Sequence, residues 1–299
     1  MNTTTTSAAR PSPVERRVEA PGAELFVRSV GGGHGGDTLV LVHGGPGISH
    51  EYLAGLEALA GPNLAIVSYD QRGVGRSTGN VSGAPLMQAV EDLEIIRQAI
   101  GADRIHLLGH SYGGLPAAAY AAAKPLHTKS LILVDSIPAT GRALRDALGR
   151  QAALITELQQ RGLVPAHLPS METAPTDWLL AALPSYYADP HHPDARSLNG
   201  ARIFPATMQA TMGGLGDYDL RAELAGITAP ILSFAARVPF GEEMADAMAD
   251  ALPKDRVKRM RLREGGHFPW IECPEPFFSE VHAFLRGQGL AGVGGAGGG

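Results

Sequence analysis

The sequence predicts an α/β fold: a mostly parallel, twisted sheet with helices on both faces and a helical insertion late in its order. Three observations lead there. Short β-branched or Leu-rich runs alternate with longer helix-patterned segments. Most of those runs are continuously apolar, as strands covered on both faces are, rather than alternating. The alternation then stops between about 141 and 227, where helical stretches mix with proline-rich, strand-poor sequence such as LPSYYADPHHPDAR.

The strand candidates, in order, are Thr38–Gly45, Leu64–Asp70, Arg104–His110, Ser130–Ser136, Pro230–Ala236 and Arg256–Leu262. Ala23–Val30 (AELFVRSV) alternates more and is expected as an antiparallel edge. Leu86, Val90, Leu93, Ile96 and Ile100 recur at helical spacing, and Gly101 supplies a stop. LPAAAYAAAKP forms a small-residue helix that ends before Pro125, and GEEMADAMADALP and PEPFFSEVHAFLRG supply two more. The expected organisation is a leader over 1–20, a sheet core from 21–140 and 228–288, a helical cap over 141–227 inserted after the sixth strand, and a Gly-rich, disordered tail over 289–299.

Composition narrows the class. Of 299 residues, 44% are hydrophobic and 18% charged, and the net charge is -5, which gives no basic surface for nucleic acid. The single cysteine, Cys273, excludes an intrachain disulfide and zinc sites built on paired cysteines, and suits a reducing compartment. The start, MNTTTTSAARPSPVERR, lacks the apolar segment of a signal peptide, and no apolar run is long enough to span a bilayer. A cytoplasmic protein with a small-molecule substrate is the expectation; the oligomeric state is not readable.

Gly109-His110-Ser111-Tyr112-Gly113 fits G-x-S-x-G at the junction of a buried strand and a small-residue helix. A serine held on so sharp a turn needs small neighbours two residues to either side, and the following helix N-terminus favours a developing anion. Ser111 is therefore the candidate nucleophile. His267, in GGHFPW just after the last predicted strand, is the candidate general base. His43-Gly44-Gly45-Pro46-Gly47 ends the first long buried strand. The N–H of Gly45, with that of Tyr112, would form an oxyanion hole, in which one donor contributes ~3 kcal/mol of transition-state stabilisation. In YDQRGVGRS, Asp70 and Arg72 are expected to pair across a turn and, with Gly44, to support that loop. Gly73 and Gly75 make only an incomplete G-x-G-x-x-G, so no nucleotide cofactor is read there. No organic cofactor and no metal is expected.

HGGPG, DQRGVGRS, GHSYGG and GGHFPW, in this order, resemble an α/β-hydrolase of the prolyl aminopeptidase-like group, over roughly 41–285. The resemblance implies Ser111 as nucleophile, His267 as base, and Gly45 with Tyr112 as oxyanion donors in an aminopeptidase, amidase or esterase that works through an acyl-enzyme. Two departures stand out. Members usually carry the triad acid in a Gly-Arg-x-Asp turn, whereas this chain reads AARVPFGEE, with Val238 and Pro239 at that place. Asp135, after the earlier strand SLILVDS, is the leading candidate acid, since some other α/β-hydrolases, haloalkane dehalogenase-like ones among them, place theirs after this strand, and Glu242 and Glu243 are the alternatives. The Trp-Glu pair that group members often have in the cap near their amine-binding acids is also absent, which leaves proline specificity open. A biosynthetic tailoring hydrolase, transferase or cyclase, and a non-catalytic ligand-binding homologue, are the rival readings.

Overall fold

The computed structural model describes residues 12–33, 35–81 and 83–287. Eight strands form one sheet in the order β1-β2-β4-β3-β5-β6-β7-β8. They are β1 (Val14–Ala20), β2 (Ala23–Gly31), β3 (Asp37–Val42), β4 (Leu64–Tyr69), β5 (Ile105–His110), β6 (Thr128–Val134), β7 (Ile231–Ala235) and β8 (Val257–Arg261). From β4 to β8 every pairing is parallel, while β2 runs antiparallel to both β1 and β4.

Two expectations are corrected at the N-terminal side. Residues 14–20 of the supposed leader are a strand, and Ala23–Gly31 is consequently not the edge. In VERRVEA only Val18 is buried, so the segment has no apolar face to betray it. It is held by backbone pairing to β2 and by exposed ion pairs such as Arg28–Glu15 (3.1 Å) and Arg76–Glu15 (3.0 Å). A charged strand of this kind also discourages edge-to-edge association. Residues 1–11 and the Gly-rich 289–299 lie outside the described residues.

Helices α1 (Pro85–Ala99) and α2 (Gly114–Ala123) precede β6; α3 (Gly141–Gln160), α4 (Pro175–Ala182), α5 (Pro205–Leu215) and α6 (Arg221–Leu224) lie between β6 and β7; α7 (Pro239–Asp250), α8 (Pro269–Glu272) and α9 (Pro274–Leu285) follow. The continuous apolar runs are explained by two cores. Val40, Val42, Leu107 and Leu131 face one layer with Leu93 of α1 and Leu115 of α2. Their neighbours Leu39, Leu41, Leu108 and Ile132 face the other, with Leu53, Trp270 and Phe277. Successive side chains point to opposite faces, and here both faces are dry.

The helices inserted between β6 and β7 are stitched to the loops that follow β3 and β4. Phe204 N–H donates to the Gly47 carbonyl (2.7 Å), Ser49 N–H to that of Arg202 (2.9 Å), and Thr207 Oγ1 to that of Gly73 (2.7 Å). Thr140 caps α3 by accepting from the Ala143 N–H (3.3 Å). Among the described residues no helix is long and apolar enough to cross a membrane.

Candidate active site

β5 and β6 are paired in parallel register, with His110 opposite Val134. The next residue on each strand, Ser111 and Asp135, turns off the sheet with positive φ (54° and 46°). Such left-handed conformations cost a non-glycine residue ~1–3 kcal/mol and persist where the surroundings enforce them. At the serine the enforcement is steric. A Cβ on Gly109 would stand 2.5 Å from the Gly113 carbonyl oxygen, and one on Gly113 only 2.1 Å from that of Val42. The elbow closes because those atoms are missing, and Ser111 then opens the helical turn that runs into α2.

His267 sits on the loop after β8. Its N–H donates to the Tyr186 carbonyl (2.8 Å), which ties the loop to the cap. Its Nδ1 is hydrogen-bonded to Asp135 Oδ2. Asp135 is nearly inaccessible, and its Oδ1 accepts from the Ala236 N–H (3.2 Å). A carboxylate only accepts, so the imidazole proton is assigned to Nδ1 and the lone pair to Nε2. Gly241, at the start of α7, roofs this carboxylate: a Cβ there would lie 2.7 Å from Asp135 Oδ1. Glu242 and Glu243 are corrected as candidate acids. Glu242 is half-buried and Glu243 exposed, and they pair with Arg261 (3.0 Å) and Arg150 respectively.

The loop after β3 closes over the elbow. A Cβ on Gly44 would be 2.9 Å from Ser111 Cβ. The Gly44 N–H is already given to Tyr52 Oη (2.6 Å), so that amide anchors the loop, and Gly45 (φ 114°) is the residue bordering the cavity beside Ser111. The Tyr112 N–H lies in the first turn of its helix, where amides have no intrahelical partner. The HGG and DQR stretches interlock. His43 Nε2 accepts from the Gln71 N–H (2.9 Å), and burial pushes the His43 pKa down to about 4, so the ring is neutral.

Asp70 and Arg72 do not pair, contrary to expectation. Asp70 faces inward and accepts from His50 Nδ1 (2.8 Å), His50 N–H (3.1 Å) and Arg76 N–H (2.7 Å). The Arg72 guanidinium turns the other way, to Asp92 on α1 (2.6 and 3.1 Å) and the Pro21 carbonyl (2.8 Å). His50, Glu51 and Asp70 bring three ligand-type atoms within 4.8 Å of one another, but Asp70 is already occupied by these donors and the group braces the loop.

Three residues escaped the sequence reading. His110, the variable residue of the serine motif, is buried with both ring nitrogens used. Its Nε2–H donates to the His267 carbonyl (2.8 Å) and its Nδ1 accepts from Tyr52 Oη–H (2.9 Å). Burial, with His267 beside it, holds its pKa well below the ordinary imidazole value, which suits this neutral tautomer. Gly44, Tyr52, His110 and His267 thus form one chain from the loop over the elbow to the loop of the candidate base. Glu272 accepts from the N–H groups of Ala188 (2.9 Å) and Phe268 (3.1 Å), holding that second loop from below. No local pattern announces these contacts; the only signal is polar side chains inside apolar runs.

Ser111 and His267 border one cavity of about 60 Å³, together with Gly45, Ile48, Tyr52, Leu179, Tyr186, Leu198 and Phe268. Ser111, on its strand-to-helix elbow, thus borders the same cavity as an imidazole hydrogen-bonded to a buried carboxylate.

Comparison with known proteins bears on the fold and the family. The family model of the alpha/beta hydrolase fold matches residues 37–177. A proline iminopeptidase of Heyndrickxia coagulans is 28% identical over 294 residues, covering 90% of this chain and 97% of that protein. One of Lactobacillus crispatus is 30% identical over 212 residues, 69% of either chain. The crystal structure of the Mycobacterium smegmatis proline iminopeptidase superposes with a TM-score of 0.72 at 25% identity, over 93% of this chain and 99% of that one. The chain belongs to the α/β-hydrolase family, in its prolyl aminopeptidase-like group, and is a hydrolase.

Proposed function

We propose that this protein is a serine hydrolase of small amides or esters, with Ser111, His267 and Asp135 as its triad. His267 Nε2 takes the Ser111 proton as Oγ bonds to the substrate carbonyl carbon. The tetrahedral oxyanion is met by the N–H groups of Gly45 and Tyr112. When the C–N or C–O bond breaks, the proton on Nε2 goes to the leaving group, and an acyl-serine remains. Water then adds to the acyl carbon, giving its proton to His267, and the acid departs as Ser111 recovers its own. Asp135 keeps its carboxylate throughout, fixing the tautomer and balancing the imidazolium.

The observation that carries this reading is the bond from Asp135 to the ring that borders Ser111's cavity. The names of the relatives favour amide or ester cleavage. A fluorophosphonate probe is expected to label the wild type and not Ser111→Ala. Equal labelling of both, or of neither, overturns the assignment.

A further inference from the structure

The cavity's polar groups are almost all spent. Tyr52 Oη is engaged by Gly44 and His110, and both nitrogens of His110 are used. Tyr186 gives its carbonyl to His267, and its hydroxyl faces Gln151. The rest of the lining is aliphatic or aromatic: Ile48, Leu179, Leu198 and Phe268. No carboxylate is among the lining residues. Two buried carboxylates are engaged elsewhere, Asp135 with His267 and Ala236, Glu272 with Ala188 and Phe268. What remains to meet a substrate is the chemistry at Ser111 and His267, the Gly45 amide, and an apolar wall.

We infer that this site takes short, uncharged, apolar acyl groups and rejects acyl groups bearing a free α-amine. The inference rests on the reading of Ser111 as nucleophile, because the acyl group is placed by the carbonyl that this residue attacks. An α-ammonium next to that carbonyl would enter the cavity with no anionic acceptor. Burying an unpaired charge is among the costliest events in a protein interior. A methyl at the same place meets Leu179, Leu198 or Ile48 and gains by burial. The volume, far below the ~300–1,000 Å³ of sites for drug-sized ligands, restricts the acyl group to a few heavy atoms. Leu179 on α4 and Leu198, both from the cap, are then the specificity-determining residues.

The test compares p-nitrophenyl isobutyrate with p-nitrophenyl L-alaninate, which differ by methyl against ammonium. It is run at pH about 6, below the ~7.7 of an α-amine, with the Ser111→Ala rate subtracted. The neutral ester is expected to have the higher kcat/KM by roughly 100-fold, and Leu198→Glu or Leu179→Glu to narrow that ratio at least ~10-fold. Equal rates, or faster turnover of the alaninate, overturn the inference while leaving the nucleophile assignment intact. Binding to Ser111→Ala separates the two claims further. Isobutyramide is expected to raise its Tm more than alaninamide does, whether or not Ser111 is the nucleophile. The reverse order sinks the inference even if fluorophosphonate labelling has failed.

Discussion

Replacing His110 by Phe tests the buried chain that joins the two loops of the site. The ring is neutral in the fold, so no charge is lost, and Phe fills nearly the same space. Two partners are orphaned: the His267 carbonyl loses its 2.8 Å donor and the Tyr52 hydroxyl its 2.9 Å acceptor. A buried polar group left unpaired costs ~1–3 kcal/mol, so a destabilisation of about 3 kcal/mol is expected after the gain from burying an apolar ring. Tyr52→Phe orphans the Gly44 N–H and His110 Nδ1 instead, at a similar cost. The Tyr52–His110 bond is counted in both single variants. The double variant should therefore fall short of their sum by ~1–2 kcal/mol. Urea unfolding followed by tryptophan fluorescence reads this directly, since Trp270 packs edge-on against His110 with ring centroids 4.9 Å apart. His110→Phe should still be labelled by fluorophosphonate, more slowly. A loss below ~0.5 kcal/mol, or strict additivity, would refute the chain.

Other outcomes follow from the same contacts. Asp135→Asn permits the wrong tautomer of His267 and should lower kcat on the order of 10³-fold or more, whereas Glu242→Gln and Glu243→Gln should stay within about 2-fold of wild type in a p-nitrophenyl ester assay. Gly241→Ala drives a methyl toward Asp135 Oδ1, and a displaced carboxylate should cost roughly 10–100-fold in kcat with little change in KM, measured on the same ester. Acid should unfold the protein early. His43 and His106 are pushed down to about 4 by burial and His110 is held well below the ordinary imidazole value, so below pH ~6.5 the unfolded chain takes up protons that the fold refuses. Stability then falls as pH drops from ~6.5 toward 4, at up to ~1.4 kcal/mol per pH unit for each histidine. Asp92 and Glu272, whose pKa values burial raises, oppose this in part, because they bind protons more tightly when folded. Urea midpoints that stay flat between pH 7 and about 4.5 would contradict the neutral assignments.

Much of the fold is written locally. Runs such as TLVLV and SLILV read as buried strands because each residue faces one of two dry cores, and Gly101 stops α1 with φ of 72° as its position suggested. β1 was illegible for the opposite reason: backbone pairing without burial leaves no apolar period. Ser111 and Asp135 directly follow recognisable strands and His267 lies on the loop after a third, so their arrival at one edge of the sheet is topology that sequence order conveys. The partner of Arg72 was not legible. The choice between Asp70, two residues away, and Asp92, on a separate helix, depends on which way a guanidinium leaves its turn. Tyr52, His110 and Glu272 were hidden likewise, since His110 meets the loop of His267 across 157 positions of chain.

The register between β5 and β6 has a mechanical consequence. The hydroxyl-bearing residue and the carboxylate-bearing one step off adjacent strands at the same rung, so their separation is gauged by the ladder itself. Irregularity in the pairing is confined to the far end, at Ile105/His106. Lengthening the connection between α2 and β6 should therefore leave the distance between the two untouched. Inserting one residue within either strand would shift one against the other by about 3.3 Å and turn it to the opposite face.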